Sequence, residues 1–295
     1  MALFTVRLPQ GYPYCADRPT ASADMPQLSL ARLSTATLAL ASLFAAAPNL
    51  PAAAGPATAT GACEQPKRGR YAVMAMGTLI SGDVTTPQAR LLEERWLPGG
   101  AIEGRIIERA GSTLRSGTYR GSVRMVGSCL ARVERSLPWG AQQSEAVLDS
   151  RGRPLYSLDR GRGTVISSRW LPMAPGSCRA DDLNGTVLSS QVGLNRRPGT
   201  QGWTPNAVIQ REQWQHGSVR GVALSSYGGV GDTSSYSGRM QLEAGSCWGE
   251  LVEQDQKGTR YHYSSLLVKG RSGARGYLYL QRDADDLSVG WLVRD

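Results

Sequence analysis

Two halves of this chain carry the same landmarks at the same spacing, and that duplication limits what it can fold into more than any other feature. One run goes from Cys63 through Trp96, Gly104, Tyr119-Arg120-Gly121 and Gly127-Ser128-Cys129 to Trp170. The other goes from Cys178 through Trp214, Gly221, Tyr236-Ser237-Gly238 and Gly245-Ser246-Cys247 to Trp291. Trp96 and Cys129 stand 33 residues apart, as do Trp214 and Cys247. A unit of this size read twice is one small domain used twice.

Within each copy the apolar period is two. Tyr119, Gly121, Val123 and Met125 share one face, opposed by Arg120 and Arg124, and Tyr236, Gly238, Met240 and Leu242 repeat the pattern opposite Ser237, Arg239 and Gln241. Such alternation marks half-buried strands. Turn signals separate them: Pro98-Gly99-Gly100, Arg151-Gly152, His216-Gly217, Lys257-Gly258 and Ser272-Gly273. Eight strands are expected in the first copy, near residues 70–80, 88–96, 101–110, 117–126, 128–136, 143–150, 153–160 and 163–171. Eight more are expected near 185–193, 206–214, 217–226, 233–243, 246–254, 259–269, 274–282 and 286–294. The expected fold is therefore all-β: two tandem antiparallel β-barrels, or sandwich-like units, of about eight strands each. Gly121 and Gly238, on the inward parity, suit a tightly curved wall that leaves no room for a side chain.

The N-terminus reads as an export signal. Residues 33–47 form an apolar run preceded by Arg32 and followed by Ala52-Ala53-Ala54, an A-x-A cleavage site before Gly55. The run is too short for a membrane span, so none is expected in the mature chain. Met25 is the natural start of such a signal. The expected organisation is an upstream extension from a misplaced start (1–24), a signal peptide (25–54), a linker (55–62), the first barrel (63–172), a linker (173–177) and the second barrel (178–295). Cys15 is then lost on processing, and four cysteines remain in corresponding places. An exported protein with an even count favours disulfides over metal ligation. A unit stable before duplication closes within itself, which gives Cys63–Cys129 and Cys178–Cys247. Cys63 as a lipidated N-terminal cysteine is the lesser alternative, because Thr60-Gly61-Ala62 is a poor lipobox. The expected location is secreted or periplasmic.

Taken together, Cys63 before Gly69-Arg70-Tyr71, Gly117-Thr118-Tyr119-Arg120-Gly121 in mid-domain, and Cys129 soon after resemble secreted bacterial lipocalin-like or allene-oxide-cyclase-like small barrels. The second copy departs at the first element, with Asn184-Gly185-Thr186 where the tyrosine would stand. The resemblance implies a barrel fold, in a group that includes ligand binders and many members without an assigned activity.

No compact catalytic motif is legible. The two histidines are His216, in a His-Gly turn, and His262, between Tyr261 and Tyr263 on a strand. There is no nucleophile elbow, no His-Glu-x-x-His, no cysteine pair at metal spacing and no phosphate-binding glycine loop, so neither cofactor nor metal is expected. Glu94 and Glu212 each precede a tryptophan, Trp96 or Trp214, by two residues and share its strand face. Either both are buried acids beside inward tryptophans, with raised pKa, or both point to solvent. Tyr261 and Tyr263, and Tyr277 and Tyr279, share faces of neighbouring strands, with Leu278 and Leu280 opposite. Either the tyrosines form an exposed platform, or they line the interior while the leucines meet the other domain or a partner.

The formal charge of +9 is carried almost wholly by arginine and is scattered over both copies, which argues against a nucleic-acid partner. The leading expectation is an exported, non-enzymatic binding or envelope-associated protein, its ligand a glycan or another small or polymeric molecule. It uses Tyr261, His262, Tyr263, Tyr277 and Tyr279. The alternative is a hydrolase or isomerase with Glu94 and Trp96, or Glu212 and Trp214, in a barrel cavity. An inhibitor presenting a rigid loop at 227–233 is a third possibility.

Overall fold

A computed structural model describes residues 63–196 and 202–294, so the expected extension, signal and linker over residues 1–62 lie outside the described residues. The first copy contributes β1 (Gly69–Ser81), β2 (Val84–Trp96), β3 (Ala101–Ala110), β4 (Thr113–Gly127), β5 (Leu130–Leu137), β6 (Gly140–Leu148), β7 (Pro154–Asp159) and β8 (Thr164–Met173). Each strand runs antiparallel to the next, and β8 returns to pair with β1, closing the barrel. The second copy contributes β9 (Gly185–Asn195), β10 (Thr204–Gln215), β11 (Ser218–Tyr227), β12 (Val230–Leu242), β13 (Trp248–Asp255), β14 (Arg260–Gly270), β15 (Gly273–Gln281) and β16 (Asp286–Arg294). It closes the same way, β16 pairing with β9. Closed barrels, not open sandwiches, are what the duplication encodes.

Local sequence explains the wall. In β5, Ala131, Val133, Arg135 and Leu137 are buried, and their intervening neighbours face out. The β10–β11 hairpin turns on His216 (φ 48°) and Gly217 (φ 76°), the paired positive φ of a tight two-residue connection. That turn is the place of His216, whose Nδ1 lies 2.7 Å from Asp181. The glycine and tyrosine shared by the two copies are one device: Tyr119 lies opposite Gly104, and Tyr236 opposite Gly221. A Cβ on Gly104 would stand 2.2 Å from the Tyr119 ring, and one on Gly221 2.5 Å from Tyr236. Each tyrosine therefore lies over its glycine and reaches into the barrel.

Each copy closes on its own disulfide, Cys63–Cys129 with Cα atoms 5.1 Å apart and Cys178–Cys247 with Cα atoms 4.7 Å apart. Loops of 66 and 69 residues give a chain-entropy contribution of roughly 4 kcal/mol each.

The barrels pack side by side, and this explains an apolar pattern that alternation alone does not. On β14 and β15 both faces are buried, Leu266, Leu267 and Val268 together with Tyr277, Leu278, Tyr279 and Leu280. The outward set joins Ala72, Met74, Ala89, Leu91 and Ile107 of the first barrel in one core cluster. Polar contacts frame it: Arg109 donates to the Arg282 carbonyl at 2.7 Å, and Arg105 pairs with Glu243 while lying 4.7 Å over the Trp248 ring. Segment 174–177 follows the second barrel's wall, with the Ala174 N–H donating to the Lys269 carbonyl at 2.8 Å.

The closing tryptophans, Trp170 and Trp291, turn out not to be equivalent. Trp170 pairs with Val73 and is buried inside the first barrel. Trp291 pairs with Ser190 one step out of that register, so it faces outward, where Arg169 lies 5.6 Å over its ring.

Candidate functional site

The two barrel interiors share a frame and differ in charge. In the first, Glu94 is fully buried and accepts three hydrogen bonds: from Trp96 Nε1 at 2.8 Å, from the Tyr119 hydroxyl at 2.6 Å and from Arg135 Nε at 2.5 Å. Arg135 also donates to Ser144 Oγ at 2.9 Å and lies 5.6 Å from the Trp170 ring centroid. Burial by itself would lower the Arg135 pKa, but the Glu94 charge and hydrogen bond raise it. One storey along the wall, Arg90 bonds both Glu108 and Asp159 at 2.6 Å, Arg115 pairs with Glu108, and Gln142 donates to Asp159 at 2.9 Å. The first barrel's interior thus holds buried ion pairs beside an aromatic and aliphatic cluster that includes Tyr71, Trp96, Ile106 and Trp170.

In the second barrel, Glu212 occupies the position of Glu94. It accepts from Trp214 Nε1 at 2.6 Å, from the Tyr236 hydroxyl at 2.9 Å and from the Tyr277 hydroxyl at 2.9 Å. The arginine is gone. Arg135 pairs with Gly121 in the register, and the residue that pairs with the matching Gly238 is Glu253. The same register places Val208 where Arg90 stands, Ser225 where Glu108 stands and Asp232 where Arg115 stands. An ion-pair plug has become small and acidic side chains.

That exchange leaves a cavity of about 290 Å³ inside the second barrel. Tyr236, Glu253, Tyr263 and Gln210 lie on its inner wall, and Tyr227, Asp232, Asp255, Lys257 and Tyr261 lie toward the end where the β11–β12 and β13–β14 turns meet. Burial pushes the Glu212 carboxyl up to about 7, against the pull of its three donors. Burial and the neighbouring Glu212 charge hold Glu253 well above the usual carboxylate range, with a hydrogen bond from Tyr263 opposing. Asp286, buried beside Ser288 and Asn206, is raised to about 6, chiefly by burial. Burial likewise raises Tyr236, Tyr263, Tyr277 and Tyr279, so these hydroxyls stay protonated as donors. A wider groove of about 790 Å³ opens on the surface where the barrels meet, between mixed charges such as Glu93, Arg95 and Arg120. Convergent polar groups with displaced titrations around a concave space mark the barrel cavity as the candidate site.

The sequence-predicted residues divide accordingly. Tyr277 and Tyr279 are 1 % and 3 % exposed, which excludes the external platform. They lie inside, their rings 6.0 Å apart, with Tyr279 donating to Gln191 at 2.7 Å and packing 5.0 Å from Tyr263. Tyr261 and Tyr263 line the cavity. His262 does not join them: it faces out from β14, its Nδ1 3.0 Å from Asp283. Glu94 and Glu212 are buried with their tryptophans, so the solvent-facing placement fails for both. Glu253 was missed, although its signal is present. It lies six residues after Cys247, as Arg135 does after Cys129, on the apolar parity of its strand. Among the described residues no three histidine, cysteine or carboxylate side chains converge as a metal site.

No family model matches the chain, and no curated protein matches it. Solved structures that align with it include a porin-like protein from Bacteroides uniformis, 8% identical, covering 76% of this chain and 96% of that one at a TM-score of 0.21. Kievitone hydratase from Nectria haematococca aligns at 6% identity over 78% of this chain and 91% of its own, with a TM-score of 0.25. A DUF3598-family protein of unknown function from Nostoc punctiforme aligns at 11% identity over 78% and 96%, with a TM-score of 0.21. Likeness at this level carries nothing over to this chain.

Proposed function

We propose that this chain is an exported binding protein whose second barrel holds a small molecule in its interior, in the manner of lipocalin-like barrels. The first barrel serves as a solid buttress against which the second is fixed. One observation carries the reading: at equivalent wall positions the first barrel holds arginine ion pairs, whereas the second holds Val208, Ser225, Asp232 and Glu253 around a cavity open at one end. Its volume sits at the low end of ligand sites, about 300–1,000 Å³, which favours a compact molecule over a polymeric glycan. Tyr261, Tyr263 and Glu253 would touch the ligand, while Tyr277, Tyr279 and Glu212 would hold them in place. Two disulfides suit an oxidising compartment outside the cytoplasm. A signal peptide at 25–54 and release from the envelope complete the proposal.

The test is native mass spectrometry of protein recovered from its own export compartment. A 1:1 small-molecule adduct is expected, and it should be lost in Ala223→Trp, which fills the cavity from β11. Adducts of equal abundance in both proteins would contradict the assignment.

The coupled glutamates favour a second reading, a hydrolase or isomerase in which Glu253 donates a proton and Glu212 accepts one. The two readings part on the fate of the adduct. A binding protein returns its ligand unchanged after prolonged incubation, and an enzyme does not.

A further inference from the structure

We infer that the cavity of the second barrel receives a small organic cation, an ammonium or guanidinium group on a compact molecule, which takes the place that arginine side chains hold in the first barrel. The inference rests on the binding reading above and names its ligand class.

The first barrel supplies the internal template. There the Glu–Trp–Tyr cluster of Glu94, Trp96 and Tyr119 is completed by the Arg135 guanidinium. The second barrel keeps the carboxylate and its two neutral donors in Glu212, Trp214 and Tyr236, adds a third donor in Tyr277, and puts a second carboxyl where the cation stood. The two other arginines of the first interior, Arg90 and Arg115, are matched by Val208 and Asp232. Among the residues lining the cavity the one cation is Lys257, already paired to Asp232 at 2.6 Å. Glu253, Asp232 and Asp255 line the same space, in a chain whose overall charge is +9. An acidic interior in a basic protein is a local arrangement, not a reflection of composition.

The remaining lining points the same way. Tyr227, Tyr236, Tyr261 and Tyr263 surround the space with aromatic faces and edges, the usual complement of carboxylates where an organic cation is held. With no triad of metal ligands among the described residues, an organic cation fits better than a metal ion.

Binding of this kind carries a proton signature. The groups that interact with Glu253 are Glu212 on β10, Tyr236 on β12, Tyr263 on β14 and Tyr277 and Tyr279 on β15. Tyr227 on β11, Asp232 on β12, Asp255 on β13, Lys257 in the following turn, Tyr261 on β14 and the uncharged Gln191 on β9 share its cavity, and Asp286 on β16 acts on Tyr263. Burial, and at Glu253 also the Glu212 charge, keep the two carboxyls from ionising fully. A cation supplies the missing countercharge, so its entry drives a proton off the pair. A neutral ligand of the same shape releases none.

The experiment is isothermal titration of the full mature chain with benzylamine, benzyl alcohol and benzoate at pH 7, in two buffers of different ionisation enthalpy. Benzylamine is expected to bind at least about tenfold more tightly than benzyl alcohol, to release close to one proton, and to gain affinity as pH rises. Glu253→Gln should abolish both the preference for benzylamine over benzyl alcohol and the proton release. Asp255→Asn, at the mouth, should weaken benzylamine alone and serves if the first variant fails to fold. Equal or tighter binding of the alcohol or of benzoate would overturn the cation assignment and leave a binding cavity standing. Failure of all three probes would also overturn it. Adducts that then depend on Ala223 in mass spectrometry would show that the binding reading survives on its own.

Discussion

Arg135→Met is expected to destabilise the protein by about 3–5 kcal/mol, the characteristic cost of stranding one member of a buried ion pair. Glu94 is 0 % exposed, so water cannot take over when the guanidinium leaves. The Tyr119 and Trp96 donors remain, but two neutral hydrogen bonds do not balance a full charge in that surrounding. Ser144 also loses its partner, and the Trp170 ring loses the cation that lies over it. Methionine keeps most of the volume, which confines the effect to charge. Urea titration followed by tryptophan fluorescence reads the loss, and the double variant Glu94→Gln with Arg135→Met should recover most of it. A single variant within about 1 kcal/mol of the parent would mean that the pair is not buried as described.

The second large effect is a stability that falls as pH rises. Glu212 titrates at about 7 in the folded barrel and near its ordinary value in the unfolded chain. Between pH 4.5 and 7 the folded state therefore binds more protons than the unfolded one, and stability declines with pH through that window. At 1.36 kcal/mol per unit, Glu212 alone costs on the order of 3 kcal/mol by pH 8. Asp286, raised to about 6, works in the same direction at lower pH, and Glu253, held well above the usual carboxylate range, adds to the decline. Thermal unfolding is expected to give its highest midpoint near pH 5 and a clearly lower one at pH 8.5. Glu253→Gln removes the group that burial and the Glu212 charge hold above the usual carboxylate range, and should shorten the decline while leaving the Glu212 part of it. A midpoint that is constant or rises from pH 5 to 8.5 would be incompatible with a coupled buried pair.

Much of the architecture was legible because it follows from repetition and alternation. The Trp–Cys spacing fixed the equivalence of the copies, period-two patterning located the strands, and paired cysteines closed each unit. Contacts between the barrels were harder to read. Tyr277-Leu278-Tyr279-Leu280 is apolar on both parities, the mark of a strand buried on both faces, but alternation alone leaves open which set is inside. The leucines meet the first barrel, so the tyrosines must line the second. Trp291 is misleading for the same reason: a one-residue shift in register moves a side chain through the wall.

The site was half legible. Glu94 and Glu212 stood out by their tryptophans, yet whether a wall carboxylate turns inward depends on what waits there to bond it. Arg135 shares the parity of Ala131, Val133 and Leu137, and Glu253 that of Leu251, so the charge reversal was written in the strands. It becomes visible only when the two copies are laid on each other at the cysteines and read for difference.

The central claim is that the second barrel encloses a coupled carboxyl pair around a cavity where the first encloses an ion pair. Carbon-13 NMR titration of the glutamate side-chain carboxyls tests it most directly. Two resonances are predicted to titrate above the ordinary carboxylate range, one at about 7 that vanishes in Glu212→Gln and another that vanishes in Glu253→Gln and moves down in Glu212→Gln. If every glutamate in the folded protein instead titrated in the ordinary carboxylate range, the coupled pair would not exist and the account of the second barrel would fail.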